Sequence, residues 1–156
     1  TLSLWGSRTL GPDPARSAFV ASFVLFALGG VLGYLIEGVN VVIPAHYHGS
    51  TVGVTLAFMG LAYVLLPALG FGRPEGRMAI WQPYVYGAGQ LIHVLGLAWS
   101  GGYGVQRKVA GADQMLTTLP QKIGMGMMGI GGLIAVVGGL LFVVVCLRAM
   151  ARRAAQ

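Results

Sequence analysis

A chain of 156 residues that is 56% hydrophobic and only 9% charged, with mean hydropathy +0.76, lacks the polar surface that a soluble domain of this size needs. The formal net charge is +6, but the basic residues cluster at the ends of apolar stretches and form no face interleaved with aromatics, which argues against a nucleic-acid partner. The single cysteine, Cys146, can form no internal disulfide and tells nothing about redox compartment.

Four apolar stretches, Ala18–Ile36, Ser50–Leu69, Ile80–Tyr103 and Ile123–Leu147, each have the roughly 20 residues that cross a bilayer as a helix. The expected fold is all-α, a polytopic bundle of four transmembrane helices over 18–147. A cytoplasmic arm or loop remnant at 1–17 precedes it and a basic tail at 148–156 follows. Alternating spans put Arg8, Arg16, Arg73, Arg77, Arg148, Arg152 and Arg153 on one side, and Arg107, Lys108 and Lys122 on the other. The positive-inside rule then places the first side, with both termini, in the cytoplasm. The chain begins at Thr1, and residues 1–17 lack the charged-then-apolar pattern of a signal peptide, so a piece of a longer protein or a trimmed start is expected.

Taken in order, the arm is polar and broken by Gly11, Pro12 and Pro14. In the first helix, Gly29 and Gly33 are spaced for close helix contact. Glu37 and Asn40 lie at its outer end, either as a solvated terminus or as a water, proton or metal contact.

The stretch Pro44-Ala45-His46-Tyr47-His48-Gly49 comes next. Pro44 is acceptable in a first helical turn, where its missing N–H has no intrahelical partner. At 3.6 residues per turn, His46 and His48 are turned about 200° apart, to nearly opposite sides. They cannot share one metal as an i, i+4 pair can, but they can bind two, one on each flank. Neutral imidazole is a common ligand of haem iron, so one reading is a helix held between two haems. The other is two interfacial histidines near water. Gly49 and Gly53 leave room for a flat macrocycle or for another helix. Pro67 and the run 70–76 end the segment.

In the third helix, Trp81 and Tyr84 suit one aromatic belt, Trp99 and Tyr103 the other. Gln90 and His93 share a face near mid-membrane and must meet protein or water. With no ligand-type neighbour in its own helix, His93 reads as a hydrogen-bonded packing residue, with metal ligation the alternative. Arg107-Lys108, in the outer loop 104–121, reads as a basic pair at lipid headgroups or a clamp for anionic groups such as haem propionates. Charge counting puts this loop on the side of the histidine pair. The fourth helix contains Gly124-Met125-Gly126-Met127-Met128-Gly129, a GxGxxG match. No strand precedes it, so a dinucleotide site is discarded in favour of helix packing. Arg148, Arg152 and Arg153 anchor the inner end.

The run Phe26-Ala27-Leu28-Gly29-Gly30, the run Val42-Ile43-Pro44-Ala45-His46-Tyr47-His48, Trp81, and Gly104-Val105-Gln106-Arg107-Lys108 together resemble subunit I of the haem-copper oxidases. Their order and spacing are similar to the ninth to twelfth helices of that family's twelve-helix core. The resemblance implies that His46 is the proximal ligand of the high-spin haem, where dioxygen is reduced to water, and hence the catalytic residue. It implies that His48 is an axial ligand of the low-spin haem, with Tyr47 between them where the family usually has Phe. Arg107 and Lys108 would hold haem propionates, Lys108 without the planar fork of an arginine.

The family's His-Asp pair ahead of the motif is absent, with Gly38 and Val39 near that place, so magnesium is not expected. The chain has only three histidines. Copper, with its ligands, and the other low-spin haem ligand would come from a missing companion segment. The implied partners are the N-terminal remainder of subunit I or companion oxidase subunits, cytochrome c or quinol as electron donor, and membrane lipid. The implied location is a bacterial inner membrane, and any proton pumping would depend largely on helices not present here. The alternatives are a nitric oxide reductase-like subunit with iron in place of copper, a non-catalytic haem-binding protein, and a haem-free structural subunit.

Overall fold

The computed structural model describes residues 13–109 and 111–152. Most of the expected arm, with Arg8, and the end of the basic tail, with Arg153, lie outside the described residues. Four α-helices follow one another: α1 (Pro14–Tyr34), α2 (Val42–Ala68), α3 (Arg77–Gly102) and α4 (Leu119–Met150), with one 3-10 turn at Gly111–Gln114 before α4. Each helix begins ahead of its apolar stretch, and at α1, α2 and α4 polar side chains bind the first turn. Asp13 accepts a hydrogen bond from the Ala15 N–H at 2.8 Å, and Pro14 stands in the first turn, where its fixed φ suits a helix. Pro14 therefore opens α1 rather than breaking the arm, and 14–17 belong to the helix. At α2 the Asn40 Oδ1 accepts from the Val42 N–H (2.9 Å) while its Nδ2 donates to the Glu37 carbonyl (2.8 Å). Asn40 thus shapes the turn, and Glu37 is exposed. Thr118 and Gln121 form a capping box at α4, and the Gln121 amide also donates to the Tyr103 carbonyl at 3.0 Å, closing the outer loop.

Among the described residues, α1, α2 and α4 are long and apolar enough to cross a membrane, as expected of an integral membrane protein. The 26-residue α3 has the length but is less apolar, since it carries Gln82, Gln90 and His93. Its polar groups turn inward: Gln82 and Ser100 are completely buried. Trp81 and Tyr84 at one end of α3, and Trp99 and Tyr103 at the other, are exposed, as interfacial aromatics should be.

Successive helices run antiparallel and pair as two hairpins, α1–α2 and α3–α4, joined where α3 packs on α2 and α1. In the first hairpin the backbones cross at glycine: a Cβ on Gly49 would sit 2.8 Å from the Gly29 Cα, and one on Gly53 would strike Phe26. The space beside Gly49 and Gly53 is therefore filled by a helix. In the second hairpin, Gly96 faces Gly124 and Gly89 faces Gly131. On each helix these glycines are seven residues apart, close to two full turns, so they form one straight seam. Gly126 and Gly129 of the GxGxxG match have open space beside them.

The seam continues into a buried polar knot. The Tyr63 hydroxyl donates to Gln82 Oε1 (2.7 Å), and Gln82 Nε2 donates to the Gly138 carbonyl (3.0 Å), tying α2, α3 and α4 together. Tyr63→Phe removes one bond, with an expected cost of about 0.6–1.7 kcal/mol for a side-chain pair in a membrane bundle. Gln82→Leu removes both bonds and strands the buried Tyr63 hydroxyl, with an expected cost of about 1–3 kcal/mol. Thermal unfolding of the detergent-solubilised protein should rank the two in that order.

Candidate functional site

Both histidines of the motif lie in the first two turns of α2, and their rings turn to different helices. His46 faces α1: its Nδ1 lies 2.7 Å from the Gly29 carbonyl, and a Cβ on Gly33 would come within 2.9 Å of the same nitrogen. Gly33, read from sequence as a helix-contact glycine, makes room for an imidazole. His48 faces α3: its ring centroid is 5.2 Å from that of His93, and its Nδ1 is 2.9 Å from the Pro44 carbonyl. Tyr47, between them, is exposed.

A carbonyl oxygen only accepts, so in both rings Nδ1 carries the proton. In the neutral ring this leaves the lone pair on Nε2. Donation of Nδ1–H to a backbone carbonyl is the usual support of a metal-ligating imidazole, because it fixes the tautomer and the ring orientation. Neither Nε2 has a hydrogen-bond partner among the described residues. No group of three or more His, Cys, Asp or Glu that could cage a metal ion occurs among the described residues. What the site offers is single imidazole donors. A haem iron already bound by its macrocycle would need no more than one such imidazole from one side, so the residues fit the group.

His93 is anchored in the same way, its Nδ1 2.9 Å from the Met128 carbonyl of α4. That bond is the one expected of a packing residue, and its neighbour His48 lies on another helix, which spacing within α3 could not reveal. The α2–α3 register that pairs Tyr63 with Gln82 also brings His48 beside His93. Two imidazoles on opposite faces of one haem would hold their ring centroids roughly 6 Å apart, from metal–nitrogen bonds of about 2.0–2.1 Å. At 5.2 Å these two rings leave no room for a macrocycle between them.

The structure brings Arg107 and Lys108 to the same end of the bundle. The Val41 N–H donates to the Val105 carbonyl at 3.0 Å, and Asn40 and Gln106 form a β-bridge, so the α3–α4 loop lies against the chain that enters α2. Arg107 is half-buried and Lys108 exposed. Lys108 has φ +62°, a left-handed conformation unusual for a side-chain-bearing residue, and such strain concentrates at functional sites.

No protein-family model matches the chain. It is 41% identical over 149 residues to an uncharacterized protein of Rickettsia prowazekii (strain Madrid E), covering 86% of this chain and 28% of that protein. An uncharacterized protein of Aquifex aeolicus (strain VF5) is 32% identical over 74 residues, covering 47% of this chain and 19% of that one. Among solved structures, the cryo-EM structure of a haem-copper terminal oxidase dimer superposes with a TM-score of 0.78 at 19% identity, over 100% of this chain and 30% of that one. The chain therefore spans less than a third of the length of each of these three proteins. Its four helices have the fold of part of the membrane core of a haem-copper terminal oxidase.

Proposed function

We propose that this chain is the C-terminal part of a respiratory terminal oxidase subunit I. In this reading His46 is the proximal ligand of a high-spin haem and His48 an axial ligand of a low-spin haem. The observation that carries it is the pair of imidazoles anchored toward different helices, each with Nε2 left as donor, on an oxidase-like fold. When bound, the haems supply one-electron transfer and the reduction of dioxygen to water, with copper from the remainder of the enzyme. The chain's own residues do the positioning. Gly29 and Pro44 fix the two ring tautomers through their carbonyls. His93 packs beside His48, and in this reading the second ligand of the low-spin haem would come from a companion segment along with the copper ligands. By itself the chain is catalytically incomplete. Arg107 and Lys108, folded over the start of α2, offer positive charge to haem propionates.

The reading is tested on the intact membrane complex, whose optical spectrum should show both a high-spin and a low-spin haem. A complex with no Soret band would overturn it. Arg107→Gln should weaken haem retention about tenfold to a hundredfold, the worth of one charge-assisted hydrogen bond of roughly 1.5–3 kcal/mol. Lys108→Gln should do less, because that side chain is exposed and single-pronged. Haem loss to apomyoglobin measures both.

A further inference from the structure

At the end of the bundle opposite the histidines, a pocket of about 60 Å³ opens between the α2–α3 loop, the start of α3 and the end of α4. Arg73, Arg148 and Arg152 line it, with Glu75 as the lone lining carboxylate and Pro74, Met78, Val145 and Ala149 as its walls. The loop is pinned in place: the Gly72 N–H donates to the carbonyls of Ala149 (3.0 Å) and Arg152 (2.6 Å). A Cβ on Gly72 would lie 2.7 Å from that of Arg152, so only glycine lets the loop come this close. This contact brings Arg73, from the α2–α3 loop, beside Arg148 of α4 and Arg152 just past its end.

Arginines at a helix C-terminus ordinarily complement its free carbonyls. Here the N–H groups of Gly72 and Ala151 already occupy the Ala149 and Leu147 carbonyls, which leaves the guanidiniums for another acceptor. The hydrogen bond that one of them makes among the described residues, Arg148 Nη1 to Met78 Sδ at 3.6 Å, goes to a weak thioether acceptor. Three arginines line a small cleft with a single carboxylate to offset them, at the end of helices with membrane-spanning length and composition. Planar forks suit oxyanions, and phosphate above all. Basic pockets between membrane helices are where anionic headgroups bind.

We propose that this pocket binds a phosphate group, presented by the headgroup of an anionic phospholipid. It is independent of the haem assignment, because it shares no residue or element end with the histidine site. The test is native mass spectrometry of the intact membrane complex, equilibrated with mixed micelles of phosphatidylglycerol and phosphatidylcholine. The wild type should retain phosphatidylglycerol in preference to phosphatidylcholine. The triple variant R73Q/R148Q/R152Q should lose that preference, with adduct intensity down at least about tenfold, roughly one charge-assisted hydrogen bond's worth. Glu75→Gln guards against a mere folding defect, because removing the opposing charge should strengthen retention. Millimolar inorganic phosphate added in competition separates the sources. Little displacement of the lipid adduct supports the headgroup, and full displacement with phosphate bound instead overturns it as the natural occupant. Equal retention of both lipids by the wild type, or unchanged retention in the triple variant, overturns the site altogether.

Discussion

Replacing His46 with leucine is expected to abolish dioxygen turnover by the intact complex while the low-spin haem spectrum persists. Replacing His48 with leucine is expected to remove the low-spin spectrum and leave high-spin haem in place. The two outcomes separate because the rings are held by different helices: His46 against Gly29 and Gly33 of α1, His48 beside His93 of α3. Both side chains are half-buried rather than enclosed, so a leucine of similar size should leave the packing of α2 largely intact. Optical and electron paramagnetic resonance spectra of the purified variants, read beside oxygen consumption, check the pair. If both variants kept both haem signals, neither histidine would be a ligand and the oxidase reading would fall. His93→Phe is the complementary probe. It keeps a ring beside His48 but loses the bond to Met128, so it should shift the low-spin signal without removing it.

The second large effect is on folding, and it contrasts glycines of the same helix. Gly131→Ala and Gly124→Ala each drive a methyl into α3, the first against the His93 backbone, the second against Ser100 and the Gly96 carbonyl. Each should destabilise by about 1–3 kcal/mol, the usual range for overpacking, and more if the helices cannot separate. Gly126→Ala and Gly129→Ala point into open space. Each should be neutral or gain up to about 1 kcal/mol of helix propensity. Yield and melting temperature of the solubilised complex give the comparison. Gly131→Ala also displaces His93, so any folded fraction should show the perturbed low-spin signal of His93→Phe.

The contrast marks what was legible in the sequence. GxGxxG pointed to glycine-mediated packing, and that expectation is correct for Gly124. The packing repeat, though, runs in sevens through Gly124, Gly131 and Gly138, across from Gly96, Gly89 and Gln82. A helix turns 3.6 residues at a time, so a contact seam recurs every second turn, while a motif built for loops around phosphate has no reason to follow that period. Gln82 and Tyr63 each look ordinary in their own helices. Their importance appears only when both are buried and facing. Within α3, His93 has no neighbour of the ligand type. The partner it meets is brought by register between helices.

The sequence by itself determined four helices, their approximate limits, the opposed directions of His46 and His48, and the placing of Arg107-Lys108 on the histidine side. All of these follow from local periodicity, hydropathy and the alternation of spans, which need no knowledge of which helix touches which. Tertiary structure alone decided that α1 fills the space beside Gly49 and Gly53, that the Gly29 carbonyl anchors His46, and that His93 stands against His48. It alone gathered Arg73 with Arg148 and Arg152 around one pocket. Those contacts join residues far apart in the chain, and their register is set by close packing of glycine seams and the buried Tyr63–Gln82 knot, quantities that no single helix carries.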